Sequence, residues 1–179
     1  MTERALRPLT EEEYLALERE SPLRHELLEG IPYAMAGAGL DHNLMVTNLA
    51  ALLQPLARAK GCRVYSETAK LKLSQDTFYY PDVVVVCGPK AHPLYETAPC
   101  LVVEVLSPST EAQDRREKLA RYLRLPSLEG YLLLQSETRG GTLYRRTPEG
   151  FREEALGEVL HLPCLEGSVP VEAIYEGVA

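Results

Sequence analysis

Two carboxylates lie in segments where a folded chain would otherwise bury only apolar side chains. Glu104 interrupts the apolar run 101–106, and Asp82 follows Pro81 directly before four consecutive valines. A buried ionised carboxylate is costly unless it is paired, protonated or bound to a metal. If the two segments are neighbouring strands, Asp82 and Glu104 together predict a site for a divalent cation, and hard oxygen ligands suit Mg²⁺.

Each carboxylate also has a structural explanation. Glu104 could form a salt bridge with an arginine, and Asp82 could be an exposed residue at the start of a strand, because Pro-Asp is a common turn dipeptide. A nearby lysine favours the metal site. In a metal-dependent phosphodiesterase, a cation beside the attacking water and the scissile phosphate would offset the negative charge that develops there. Lys118 could supply it if its helix packs back across the strand ends. Its alternative is an exposed i,i+4 pair with Asp114.

Several stretches resemble the Uma-type restriction endonucleases, a bacterial family within the PD-(D/E)XK nuclease superfamily. They are Tyr-Pro-Asp-Val at 80–83, Val-Glu-Val-Leu-Ser-Pro-Ser-Thr at 103–110, and Glu-Lys-Leu at 117–119 with Tyr122. The resemblance covers most of the chain. It implies a restriction-endonuclease-like core, a mixed β-sheet flanked by helices, with Asp82 and Glu104 as metal ligands. It also implies that Lys118 is the superfamily's lysine, displaced from a strand to a helix.

Two further residues match this family's pattern. Glu26 lies in a Glu-Leu-x-x-Gly stretch, and His42 opens the long helical pattern. The resemblance implies that both lie near the metal site. Their alternatives are an ordinary hairpin glutamate and a polar residue at a helix N-terminus behind Asp41 as the cap.

The order of predicted helices and strands around these residues indicates an α/β (α+β) fold in a single domain, 1–179. Capping boxes at 10–13 and 110–113 predict helix starts, and Lys60-Gly61 ends a long helix. Alternating or continuous apolar residues predict strands. The expected order is a helix to 21–22, a hairpin (25–28, 31–35), a helix to 60, strands (62–65, 69–73, 83–87, 100–103), a helix (110–124), a strand (131–134) and a hairpin (141–146, 151–155).

These features lead to the hypothesis of a Mg²⁺- or Mn²⁺-dependent nuclease that hydrolyses phosphodiester bonds in DNA. Asp82, Glu104 and the carbonyl of Val105 would hold the metal, Lys118 would orient the water, and Glu26 could bind a second metal or support the site. Candidate phosphate contacts, for which salt bridges are an equal explanation, are Arg115, Arg121, Arg124, Arg145 and Arg146. A homodimer is compatible with cutting both strands of a duplex.

Two other functions stay open. One is a catalytically inactive nuclease-like module that binds nucleic acid or protein. A net charge of −7 and Leu106 at the expected lysine position both favour it. The other is a metal-dependent hydrolase of a small phosphorylated substrate. Titration with Mg²⁺ or Mn²⁺ separates the inactive module from the nuclease.

The composition restricts compartment and partners. A generic polyanion binder would be basic, and this chain of 179 residues is acidic overall. Its four cysteines contain no CxxC pair, and their spacing fits neither a zinc site nor a disulfide framework. They are therefore expected to be buried small hydrophobes in a reducing compartment. No apolar run approaches the roughly 18 residues of a membrane span, so a cytoplasmic protein is expected.

Overall fold

The structure is a computed structural model that describes residues 7–107 and 111–179, without the side chains of 111–115. These residues form two main β-sheets and four helices. The helices are α1 (Glu11–Glu20), α2 (Leu40–Ala59), α3 (Glu111–Tyr122) and α4 (Val171–Ile174). The strands are β1 (His25–Leu28), β2 (Ile31–Ala34), β3 (Cys62–Ser66), β4 (Lys70–Ser74), β5 (Thr77–Tyr79), β6 (Val83–Cys87), β7 (Tyr95–Glu96), β8 (Pro99–Leu106), β9 (Gly130–Gln135), β10 (Gly140–Thr147), β11 (Gly150–Ala155), β12 (Val159–His161) and β13 (Ser168–Pro170).

The central sheet has the strand order β11-β10-β9-β8-β6-β3. Strand β8 is buried along its whole length, including Glu104, because it is covered on both faces and flanked by β6 and β9. It runs antiparallel to β6 and parallel to β9, so the sheet is mixed. The expectation that the segments after Asp82 and around Glu104 are neighbouring strands is confirmed.

Helices cover both faces of this sheet. Alternate side chains of a strand point to opposite faces, and accordingly Val83 packs with Leu49 of α2 while Val84 packs with Tyr122 of α3. Each fully buried aliphatic side chain contributes about 1.5–3 kcal/mol relative to an exposed one. Burial on both faces therefore fixes which face of the sheet each side chain of β6 and β8 occupies. It also holds α3 across the strand ends where Glu104 lies.

A second sheet has the order β2-β1-β5-β4-β7. The hairpin β1–β2 was expected, whereas β5 was not, because three residues are too few to show a period. Helix α1 begins where the capping box predicts: the Thr10 side chain accepts from Glu13 N, and the Glu13 carboxylate accepts from Thr10 N. Tyr14 on this helix packs with Phe78 of β5, which attaches α1 to the second sheet.

The expectation of free cysteines is wrong for this structure. Cys62 is disulfide-bonded to Cys87 and Cys100 to Cys164. Spacing could not reveal this, because the pairs are 25 and 64 residues apart in sequence and are brought together only by the pairing of strands and a distant turn.

Three expectations have different outcomes. The capping box at 110–113 lies outside the described residues. Among the residues that are described, no helix is long and apolar enough to cross a membrane. The single domain over 1–179 stays a prediction.

Candidate functional site

The register of the central sheet brings the two carboxylates together. Val83 pairs with Val103 in the antiparallel ladder of β6 and β8, so one further step along both strands puts Asp82 opposite Glu104. The Asp82 carboxylate accepts a hydrogen bond from the backbone N–H of Val105 at 2.7 Å. It therefore lies against the backbone of β8 immediately beside Glu104.

Glu104 is almost completely buried. Its Oε1 accepts a hydrogen bond from the Tyr122 hydroxyl at 3.1 Å and lies 3.7 Å from Lys118 Nζ. Burial raises the pKa of Glu104 to about 8; Lys118 acts in the opposite direction, and the negative charges of Asp82 and Glu26 raise the pKa further. The charged form of this carboxylate is thus unfavourable unless more positive charge is supplied.

Lys118 connects Glu104 to a third carboxylate. Its Nζ donates to Glu26 Oε1 at 3.0 Å, and the same oxygen accepts from the backbone N–H of Tyr80 at 3.1 Å. Helix α3 carries Lys118 and Tyr122 on one face because they are four residues apart. The spacing explains why both side chains reach Glu104. The side chain of Asp114, the alternative partner of Lys118, lies outside the described residues.

A histidine approaches Asp82 from the α2 side. His42 Nε2 lies 3.3 Å from Asp82 Oδ2, and this hydrogen bond is the main reason why the pKa of His42 is raised. His42 Nδ1 is buried without a hydrogen-bond partner among residues 7–107 and 111–179, and lies 3.9 Å from Glu67 Oε1. One ligand atom from each of His42, Glu67 and Asp82 lies within 4.8 Å of the others. This triad could hold a cation.

Glu67 was not predicted as a site residue, and Tyr122 was named only as part of the family resemblance, without a role. Glu67 follows β3 in the left-handed conformation (φ 47°), with its N–H donating to the Asp82 carbonyl. No local pattern marks such a residue, because its partners are distant in sequence. For Tyr122 there was a signal, its i,i+4 spacing from Lys118.

The candidate phosphate-binding arginines do not form one group. Arg145 pairs with a β11 carboxylate, and Arg146 donates to two carbonyl oxygens of the loop between α3 and β9. Arg121, on α3, pairs with a carboxylate of the β1–β2 turn, and Arg124 is exposed just beyond α3. The side chain of Arg115 lies outside the described residues. Arg121 and Arg145 thus form the salt bridges that were their alternative explanation, and Arg146 is held by backbone carbonyls.

This mixed sheet with helices on both faces matches the fold of a nuclease-like protein. A solved structure from Anabaena variabilis ATCC 29413, described as "a putative nuclease belonging to DUF820", superposes with a TM-score of 0.76 over 96% of this chain and 100% of that chain, at 16% identity. That likeness establishes the fold alone.

The chain belongs to the family described as "Uma2: Putative restriction endonuclease", whose model matches residues 11–171. Two relatives come from Synechocystis sp. (strain ATCC 27184 / PCC 6803 / Kazusa). "Uncharacterized protein slr1290" is 34% identical over 96% of this chain and 93% of its own length. "Uncharacterized protein sll1609" is 31% identical over 70% of this chain and 74% of its own length. The resemblance to Uma-type proteins is thereby confirmed.

Proposed function

We propose that this protein is a divalent-cation-dependent nuclease that hydrolyses phosphodiester bonds in DNA. The observation that carries the proposal is the excess of carboxylates at one end of β6 and β8. Glu26 and Glu104 both contact Lys118 there, and Asp82 contacts His42. Such an arrangement is electrostatically unfavourable in an apolar environment unless a cation joins it.

The residues present fit Mg²⁺ or Mn²⁺. Asp82 and Glu104 supply carboxylate oxygens, which hard cations prefer. Val105 donates its N–H to Asp82, and the carbonyl of a strand residue faces the same neighbouring strand as its N–H. The Val105 carbonyl is therefore a suitable third oxygen ligand. A bound cation would lower the pKa of a coordinated water and polarise the scissile phosphate.

The chain's own side chains have separable roles. Lys118 places a positive charge next to Glu104 and is held there by Glu26, so it can orient an attacking water and stabilise the negative charge that develops on the phosphate. His42 fixes the orientation of Asp82 through its Nε2. Tyr122 does the same for Glu104 through its hydroxyl. Each of the two carboxylates is thus held by a helix side chain, Asp82 by His42 and Glu104 by Tyr122.

The choice of DNA as substrate rests on the family and on α3. The description of the Uma2 family names restriction endonucleases, which are enzymes that cleave DNA. Arg121 and Arg124 lie on or just beyond the helix that carries Lys118, where guanidinium groups could contact phosphates on either side of the cleaved bond. We assign no phosphate contact to Arg145 or Arg146. A homodimer with two such sites would cut both strands.

Cleavage of supercoiled plasmid and of single- and double-stranded oligonucleotides tests the proposal. Cleavage should require Mg²⁺ or Mn²⁺, stop in EDTA, and fall by at least about a hundredfold in Asp82→Asn, Glu104→Gln and Lys118→Met. The matched control is Glu154→Gln, which removes a carboxylate of β11 that pairs with arginines and should leave cleavage unchanged.

The inactive binding module makes the opposite prediction. It would shift DNA in a gel without cutting it and would give no heat on titration with Mg²⁺ or Mn²⁺. A small-phosphoester hydrolase would turn over phosphate monoesters or short diesters but not DNA. Cation-dependent cleavage that survives Asp82→Asn and Glu104→Gln would overturn the assignment of the site.

A further inference from the structure

Three of the four cysteines, Cys87, Cys100 and Cys164, form a second cluster of metal-ligating atoms at the other end of the same strands, and Cys62 is bonded to one of them. We call Cys62, Cys87, Cys100 and Cys164 the cysteine cluster. Cys87 and Asp82 stand at opposite ends of β6, about 16 Å apart at the rise of an extended strand. The cysteine cluster is therefore separate from the candidate nuclease site.

Backbone structure alone brings the four residues together. Cys62 and Cys87 are register partners in the ladder of β3 and β6, with their Cα atoms 4.2 Å apart. Cys100 lies where the pairing of β6 with β8 shifts: Val85 pairs with Leu101 and Val86 with Pro99. The extra residue turns Cys100 to the α2 face, where it packs in the same core as Cys62.

Cys164 comes from the turn between β12 and β13. This turn is closed by a hydrogen bond from Leu162 N to Gly167 O at 2.8 Å, and Leu165 anchors it in the core. The two disulfides lie in direct contact, since Cys87 Sγ is 3.6 Å from Cys100 Sγ. The sulfurs of Cys87, Cys100 and Cys164 all lie within 4.8 Å of one another.

We propose that the cysteine cluster binds one zinc ion when its disulfides are reduced. In a tetrahedral thiolate site the Zn–S distance is about 2.3 Å, which places neighbouring sulfurs about 3.8 Å apart. Cys87 and Cys100 already have this separation. Cys87, Cys100 and Cys164 already lie close together, and side-chain rotation after reduction can bring Cys62, the β3 partner of Cys87, in as the fourth ligand while the strands stay paired. Four soft thiolates in a tetrahedral arrangement favour zinc over the hard cations of the carboxylate site.

The cysteine cluster can exist as two disulfides or as four thiols that bind zinc. A dithiol reductant transfers two electrons and two protons to each disulfide, which breaks one S–S bond and yields two thiols while the reductant itself becomes a disulfide. Zinc binding then displaces the four thiol protons to solvent.

Cobalt(II) titration of the whole chain tests this proposal. The protein is reduced with a phosphine under anaerobic conditions, desalted and titrated with Co²⁺, whose thiolate complexes show charge-transfer and tetrahedral d–d absorption. We expect one Co²⁺ per chain, displaced by Zn²⁺, and no such absorption in the oxidised protein. Cys100→Ser and Cys164→Ser should each weaken binding by at least about tenfold.

Controls keep the two sites distinct. Glu104→Gln should leave the thiolate absorption unchanged, because it changes only the carboxylate site. In the reduced wild-type protein, Zn²⁺ should slow alkylation of all four cysteines by iodoacetamide, a readout that does not depend on any variant folding. Reduced protein that is folded by circular dichroism yet gives no thiolate absorption, or whose cysteines alkylate at equal rates with and without Zn²⁺, would overturn the proposal.

Discussion

Replacing Glu104 by Gln should stabilise the cation-free protein at alkaline pH. Burial raises the pKa of Glu104 from the ordinary value of 4.5 to about 8. A carboxyl group whose pKa is higher in the folded than in the unfolded state contributes stability that is fully present below the unfolded pKa and is lost as the pH rises through the folded pKa. The wild-type protein should therefore lose stability between about pH 4.5 and pH 8, and Glu104→Gln should lack this loss.

The magnitude follows from the size of the change in pKa. Each pKa unit corresponds to about 1.4 kcal/mol, so ionised Glu104 costs about 4–5 kcal/mol above pH 8. A glutamine keeps an oxygen for the Tyr122 hydroxyl but buries an amide group, which is itself unfavourable. We therefore expect Glu104→Gln to gain about 3 kcal/mol at pH 9, or about 6–12 °C in melting temperature for a chain of this length.

Thermal and urea denaturation followed by circular dichroism, at pH 5, 7 and 9 in EDTA, measures this effect. Addition of Mg²⁺ or Mn²⁺ at pH 9 should stabilise the wild-type protein more than Glu104→Gln, because the variant lacks one of the two proposed carboxylate ligands and only the folded state binds the cation. Glu154→Gln is the matched control. Arginine hydrogen bonds lower the pKa of Glu154, so its removal should slightly destabilise the protein at neutral pH.

Two results would refute this reasoning. If wild-type protein and Glu104→Gln lose stability in parallel between pH 5 and pH 9, then the carboxyl of Glu104 is not the group that titrates. If Glu104→Gln is the less stable protein at pH 9 in EDTA, then Lys118 compensates the buried charge fully and no cation is needed to balance it.

Three further predictions concern the lysine, a helix cap and a close backbone approach. Lys118→Met should lower cation-dependent DNA cleavage by at least about a hundredfold while calorimetry still detects cation binding, because the lysine contacts the carboxylates without being a ligand. Thr10→Ala should lower the free energy of unfolding in urea by about 1 kcal/mol, since it removes the side-chain acceptor of the capping box. Gly141→Ala should destabilise the protein by about 1–3 kcal/mol in the same assay, because its Cβ would lie 2.2 Å from the Leu133 carbonyl oxygen.

Several elements could be read from the chain because their signals are local. The capping box at Thr10 begins α1, and Gly61 directly follows the C-cap of α2 with a positive φ. The continuous apolar residues of β6 and β8 are buried on both faces. Strands β5 and β7 could not be predicted, because they have three and two residues and exist only where neighbouring strands supply their hydrogen bonds.

The candidate site divides in the same way. Asp82 and Glu104 could be found because each interrupts or borders an apolar strand, and the cost of burying a charge makes such an interruption informative. Lys118 depended on resemblance to a family. Glu67 carries no local signal, since what brings it towards His42 is a left-handed backbone conformation between β3 and β4.

The order of apolar and polar residues by itself determined the long helices, the apolar strands β6 and β8, and the two carboxylates that border or interrupt these strands, because hydrophobic periodicity and the cost of an unpaired charge act within one segment. Only the tertiary structure decided that Lys118 lies between Glu26 and Glu104, and that four cysteines spread over more than a hundred residues meet at one end of the sheet. Strand register and helix packing set the distances between segments, and these distances cannot be inferred from either segment alone.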